Sequence, residues 1–211
     1  CRETACAPVL AKEIAGIIAA APNSSRRMNV TVKPRRKPSQ SRAWMTSGAI
    51  QDAFVLLLVE RGYDKVSMRE IAGVAGVGLR TLYQYFPGKE SIAAVTVRSW
   101  MRKQAAVLAA AALAPAPRTL KVTVHALAAA HVAALLEQSA EWRALLYLER
   151  RISPQERYQE IYIEFVQLFR DALAAASDWP AALDAQRTAF NAFSILHAVV
   201  MQNLLVQPAC P

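Results

Sequence analysis

The run Leu79-Arg80-Thr81-Leu82-Tyr83-Gln84-Tyr85 gathers one long cation, one amide and three hydroxyls within a few residues. The Arg80 guanidinium has a fork that can pair with O6 and N7 of a guanine in a major groove. The hydroxyls of Thr81, Tyr83 and Tyr85 differ in reach and suit phosphate oxygens. The tyrosines have an alternative, packing against Phe54 or Phe86, and for Tyr83 both roles stay open. Catalytic chemistry is not indicated. There is no nucleophile motif, no phosphate-binding loop and no pair of carboxylates in apolar surroundings. The three histidines, His125, His131 and His197, are too scattered for a metal site, and no cofactor is implied.

Side chains that read a groove must stand clear of the protein on a helix held steeply against another. The residues before Leu79 meet the demands of that geometry. Ser67-Met68-Arg69-Glu70 is a capping box, in which the Ser67 hydroxyl accepts from the Glu70 amide and the Glu70 carboxylate reaches back to the Ser67 amide. Ala72 is small where a second helix would cross. Gly76, four positions on, tolerates the positive φ of a tight turn. Ile71, Ala75, Val77 and Leu82 supply the apolar packing. An ordinary helical hairpin with a glycine turn would satisfy some of these constraints. Upstream, Ile50, Ala53, Phe54, Leu57 and Leu58 predict a helix from about Met45, stopped by Gly62 as a left-handed cap. Downstream, Pro87-Gly88 breaks the chain, and a helix from near Lys89 runs towards Ala112, ending before Pro115.

From Gly62-Tyr63-Asp64 through Ser67 to Lys89-Glu90 the sequence resembles the N-terminal domain of TetR-type regulators, most specifically over Ala75 to Glu90. The resemblance covers about residues 43–103. It implies DNA binding, with Ser67 on a phosphate and Arg80, Thr81, Gln84 and Tyr85 facing the groove or its walls. Tyr83 would meet the backbone, and Lys89 would bind a phosphate at the start of its helix; Arg69 is counted among the DNA-facing residues. The chain departs from the usual pattern at Gly78-Leu79-Arg80, where the family often has Ser, Lys and a small residue. Gly78 is a weaker cap than Ser. Leu79 removes a polar contact and suits a thymine methyl, so the operator should differ from those of better-known members.

The rest of the chain reads as helical. Helices are expected over Arg118–Gln138 and Glu141–Arg151. Another follows Ser153-Pro154-Gln155-Glu156, read as a second capping box, and a last one runs to Pro208, after a turn at Ser177-Asp178-Trp179-Pro180. No alternating strand pattern occurs. The expected fold is all-α: a disordered basic arm over 1–42, a three-helix helix-turn-helix domain over 43–103, and a helical domain over 104–211. The family resemblance gives that last domain dimerisation and effector binding. Its last two helices have apolar faces suited to a homodimer interface. Candidate contacts for an unknown small-molecule effector are His125, His131, Trp142, Tyr147, Phe165, Phe169 and His197. The resemblance also implies that the effector tilts the helix from Lys89 to Ala112 and so changes the spacing of the two recognition helices.

Charge divides along the chain. Residues 1–103 hold 17 Lys and Arg against 7 Asp and Glu, whereas residues 104–211 hold 8 against 9. A polyanion partner for the first half fits this asymmetry, as does a merely basic surface. Arg26, Arg27, Lys33, Arg35, Arg36 and Lys37, with Arg42, form a basic arm that could follow phosphates or stay solvated. Cys1, Cys6 and Cys210 form no disulfide framework or metal spacing, so a reducing cytoplasm is expected. The longest apolar runs, Ala105–Pro117 and Ala126–Leu136, fall short of the roughly 20 residues of a membrane span, and no membrane partner is expected. Ala7–Pro22 faintly resembles a signal sequence but is split by Lys12 and Glu13. The chain starts with Cys, and its first methionines are Met28 and Met45, which leaves residues 1–27 open to being upstream sequence. The expected function is a ligand-responsive repressor that binds a palindromic operator as a dimer. The alternatives are a DNA-binding activator or architectural protein, and a helical protein-interaction module.

Overall fold

The structure is a computed structural model that describes residues 41–113 and 118–206, with side chains from 43 onward. Residues 1–40 of the expected basic arm lie outside the described residues, while its last two, Ser41 and Arg42, belong to the first helix. Among the described residues eight α-helices follow one another: α1 Ser41–Arg61, α2 Met68–Val74, α3 Leu79–Tyr85, α4 Lys89–Ala112, α5 Leu120–Glu137, α6 Ser139–Ile152, α7 Gln155–Ala174 and α8 Ala185–Leu205. A single 3-10 turn, Tyr63–Lys65, joins α1 to α2. No strand occurs among the described residues, so the fold is all-α.

Local chemistry accounts for the helix ends. α1 begins at Ser41, four residues before the apolar periodicity becomes clear, and stops where Gly62 takes φ 75°. α2 opens on the Ser67–Glu70 capping box, with both reciprocal bonds formed. It closes at Gly76, whose φ is 64°. There the Val77 amide donates to the Ala72 carbonyl at 3.0 Å and the Gly76 amide to Gly73 at 3.2 Å, the paired bonds of a Schellman end. Gly78 precedes α3 without a side-chain cap. At α5 the Asp178 carboxylate accepts from the Leu120 amide, and the Ser177 amide and hydroxyl both donate to the Arg118 carbonyl. Asp184 caps α8 by accepting from Arg187. Ser153 differs from its sequence reading as a cap of the following helix. It ends α6, its amide donating to the Glu149 carbonyl and its hydroxyl engaged with the Glu149 carboxyl.

Two compact units result, and they do not follow chain order. The N-terminal unit combines the described residues from Ser41 to Trp100 with Gln138–Pro154, and therefore includes α6. The C-terminal unit combines Met101–Glu137 with the residues from 155 on. α4 thus gives its first half to one unit and its second half to the other.

In the N-terminal unit, Ile50 and Phe54 of α1, Ile71 of α2, Leu82 of α3, Phe86 and Ile92 are completely buried. α6 packs on α1 and buries Trp142 edge-on against Trp100, ring centroids 5.2 Å apart. Its far end is held by Arg151, which donates two hydrogen bonds of 2.7 Å to the Asp64 carboxylate. In the C-terminal unit α7 and α8 form the main helix pair, with α5 against both. Leu108, Leu127, Leu173, Ala189 and Phe193 make its centre. By length and composition alone, α5 and α8 would suffice to cross a membrane. The sequence reading ended the second apolar run, Ala126–Leu136, short of that length, yet α5 extends over 18 residues. Each gives a face to this core, through Leu127, His131 and Leu135 on α5 and Ala189, Phe193, Val200 and Leu204 on α8.

Candidate nucleic-acid interface

α2 and α3 are each seven residues long, and the Gly76 turn lets them pack on each other. Ala72 is buried at this junction together with Ile71 and Leu82. A longer side chain at residue 72 would force the two helices apart. Leu82 seals the inner face of α3, and the residues two before it and one and two after it stand outward. Arg80, Tyr83 and Gln84 are exposed, Tyr83 at 43%, while Thr81 and Tyr85 are half-buried at the edges. Leu79 is half-buried as well. The aromatic core partner beside this helix is Phe86, and Phe54 is paired with Tyr63 at 6.3 Å. Tyr83 therefore points to solvent and does not fill the core. The outward face of α3 carries a forked cation, an amide and a phenol, all donors suited to phosphates or base edges.

The flanking candidates divide by what already holds them. Arg69 is exposed on α2. Ser67 is exposed, but its hydroxyl bonds to the Glu70 carboxylate at 2.7 Å within the capping box. That carboxylate also meets Arg61 at 2.6 Å. The Ser67 hydroxyl, contributing most, the Ser67 amide and Arg61 together hold the Glu70 carboxyl below its usual range. Lys89 is taken up by the chain itself. Its ammonium donates to the carbonyls of Tyr63 and Val66, both at 2.9 Å, and lies 4.4 Å from the Tyr63 ring centre. Sequence reasoning did not find this use of Lys89, since its partners lie 23 and 26 residues earlier.

The seven effector candidates do not form one group. His131, His197, Phe165 and Phe169 converge in the C-terminal unit around Phe193, which stacks on Phe165 at 5.4 Å and on His197 at 5.3 Å. Trp142 and Tyr147 belong to the N-terminal unit, the first buried and the second 57% exposed. His125 is exposed on α5. Two further participants emerge: Tyr162, 5.1 Å from Phe193, and Gln104, whose amide nitrogen lies 2.9 Å from His131 Nδ1. Gln104 had left a trace in the sequence as a polar residue opening the apolar run from Ala105. Burial, with the neighbouring His197 adding to it, holds the His131 imidazole down to about 4. No cluster able to hold a metal ion occurs among the described residues.

Residues 50–95 match the bacterial regulatory proteins of the tetR family. No curated protein matches the chain. Among solved structures, one assigned as a transcriptional regulator from Pseudomonas aeruginosa PAO1 is similar with TM-score 0.65 at 20% identity, over 78% of this chain and 81% of that one. The fatty acid degradation regulator FadR from Bacillus halodurans gives TM-score 0.62 at 19% identity, over 80% and 86%. FadR from Bacillus subtilis in complex with stearoyl-CoA gives 0.60 at 21%, over 74% and 86%. These likenesses concern the fold, and the match at residues 50–95 falls on α2, its glycine turn and α3. The similarity to the tetR family of bacterial regulatory proteins is thus carried by residues 50–95, which hold the two short helices and the glycine turn between them.

Proposed function

We propose that this protein is a repressor that binds a palindromic operator as a homodimer and is released by a small-molecule effector. The observation that carries the DNA contact is the pairing of a completely buried Leu82 with exposed Arg80, Tyr83 and Gln84 on the same short helix. Arg80 is assigned to a base edge, Gln84 and Thr81 to the groove, and Tyr83 and Tyr85 to its phosphate walls. Arg69 and Ser67 flank the same groove from α2. Lys89 is assigned to holding the Tyr63–Val66 turn, which frees it from the phosphate role that family resemblance implies.

Two half-sites about 34 Å apart require two copies of the helix. The outer face of α8 supports a dimer. Ile195, Val199 and Val206 form an exposed apolar stripe on the side of the helix opposite Phe193. The outward side of α7 contributes Ile163 among mostly polar residues, so α8 is the main seam. The effector belongs to the C-terminal unit, where aromatic rings surround the His131 and His197 imidazoles. Bound stearoyl-CoA in the Bacillus subtilis structure supports a ligand site in a protein of this fold. The protein is assigned no enzymatic activity, a cytoplasmic location and no membrane partner.

Selection of binding sites from random duplex DNA tests the reading. It should return an inverted repeat bound with steep salt dependence. Arg80→Ala should cost about 1–3 kcal/mol on the selected site and relax preference at one position of each half-site. A parent-like affinity and preference for that variant would remove Arg80 from the interface.

A further inference from the structure

The turn that leads into α2 has little of its own to hold it. Tyr63–Lys65 contains no buried residue. Its two backbone bonds, from the Lys65 amide to Gly62 and from the Val66 amide to Tyr63, are both long at 3.3 Å. Its position is set from outside. One hold is Lys89, the first residue of α4, whose ammonium donates to the Tyr63 and Val66 carbonyls and lies 4.4 Å from the Tyr63 ring centre. A second is Arg151, in the last turn of α6. Its two terminal nitrogens donate one bond each, of 2.7 Å, to the two Asp64 carboxylate oxygens, and its guanidinium carbon lies 5.5 Å from the Tyr63 ring centre. Arg151 comes 87 residues after Asp64, in the segment Gln138–Pro154 that joins this unit from the far half of the chain.

An arginine fork on a carboxylate fixes direction as well as distance. The same bonds keep the Asp64 carboxyl below its ordinary range. Asp64 stands three residues before Ser67, the cap from which α2 starts, and Val66 directly precedes that cap. A shift of the turn is therefore passed to α2 and, through the Gly76 turn and buried Ala72, to α3. Exposure argues against a large part in stability. The Arg151 and Asp64 side chains are 56% and 72% exposed, and ion pairs so open to water add little to folding. What a two-bond pair offers is orientation.

We propose that Arg151 is a positioning residue for operator recognition: its fork on Asp64, together with Lys89, orients the turn that carries α2 and α3, so that the outer face of α3 meets the groove at the angle reading requires. Arg151 itself touches no DNA. The assignment rests on the reading of α3 as the recognition helix. Without the clamp the fold persists, but the aim of α3 loosens, and binding must then order what the free protein otherwise holds ready.

The test compares the full-length parent with Arg151→Gln, Asp64→Asn and the charge-swapped double variant Asp64→Arg/Arg151→Asp. Affinity for the duplex returned by site selection is measured over a range of salt, and amide hydrogen exchange is followed without DNA. Asp64→Asn is decisive because it removes a negative charge. Simple attraction to DNA predicts tighter binding for it, and the clamp predicts weaker. Both single variants should bind the selected duplex about three- to tenfold more weakly, with the parent's salt slope and nearly its melting temperature. Exchange should quicken over residues 63–85 and stay as in the parent over α5, α7 and α8. The swap should recover most of the affinity and the protection together. Asp64→Asn binding as tightly as the parent, or more so, would overturn the proposal, as would unchanged exchange over 63–85 or a swap that recovers neither. A salt slope lowered by about one unit in Arg151→Gln would overturn it too, by making Arg151 a phosphate contact. A parent that preferred no duplex would overturn the reading of α3 itself, and the proposal with it.

Discussion

Lys89 carries a charge whose use depends on its surroundings. In a tetR-type sequence it stands where a phosphate contact is expected, but here two main-chain carbonyls and the Tyr63 ring hold its ammonium. Charge-assisted bonds of this kind contribute about 1.5–3 kcal/mol each at most. Lys89→Met should therefore lower thermal stability by about 1–3 kcal/mol and leave the salt dependence of DNA binding nearly unchanged. A slope reduced by about one unit, with stability intact, would return Lys89 to the phosphates. Glu149 presents the opposite case, a charge with too few partners. It is buried on α6, its Oε1 lacks a partner, and burial pushes its carboxyl up despite Ser153 and Arg150. Between the ordinary carboxylate range and that raised value, the folded protein holds a proton that the unfolded chain has lost. Stability should then fall as pH rises through this window. Glu149→Gln should flatten that fall in melting temperatures taken from pH 4 upward and melt higher than the parent at pH 8.

At the scale of an element, the α2–α3 turn separates two kinds of glycine. Gly76 has φ 64° and nothing within 4 Å of where a Cβ would sit, so its requirement is one of backbone conformation and not of space. Gly76→Ala should cost about 1–2 kcal/mol, the price of a left-handed L-residue. Gly73 lies within helical α2, also with nothing within 4 Å. There alanine removes glycine's excess chain entropy, and Gly73→Ala should stabilise by about 0.5–1 kcal/mol. Chemical denaturation of the two variants reads the opposite signs directly. If both destabilised equally, the turn would not depend on the left-handed residue.

For the whole molecule, charge and apolar surface have separate places. The excess of Lys and Arg falls in residues 1–103 and the exposed apolar stripe lies on α8. Polyanion attraction and self-association can therefore be perturbed independently. Ile195 is 67% exposed and Val199 55%, on the face of α8 away from the core. Glutamate at both positions should leave the fold intact and make the protein monomeric by sedimentation. The selected palindrome should then be bound at least tenfold more weakly, while nonspecific affinity at low salt changes little. A double variant that stayed dimeric would place the seam elsewhere.

What the amino-acid order determined by itself is local. The capping box at Ser67, the positive φ at Gly62 and Gly76, and the helix from Lys89 to Ala112 were all legible, because each is satisfied within a few residues. The buried phase of α3 was legible through Leu82, since its spacing from Ile71 and Ala72 is fixed by one turn. Tertiary structure decided everything that depends on which faces meet. It moved α6 into the N-terminal unit, pairing Trp142 with Trp100 and thereby separating it from the histidines it had been grouped with. It set Gln104 against His131, 27 residues away, and brought Lys89 to a turn formed long before it in the chain. Periodicity shows that a helix has a buried side, but only packing selects the residue opposite, because many apolar faces of similar width can exchange partners at little cost in buried area.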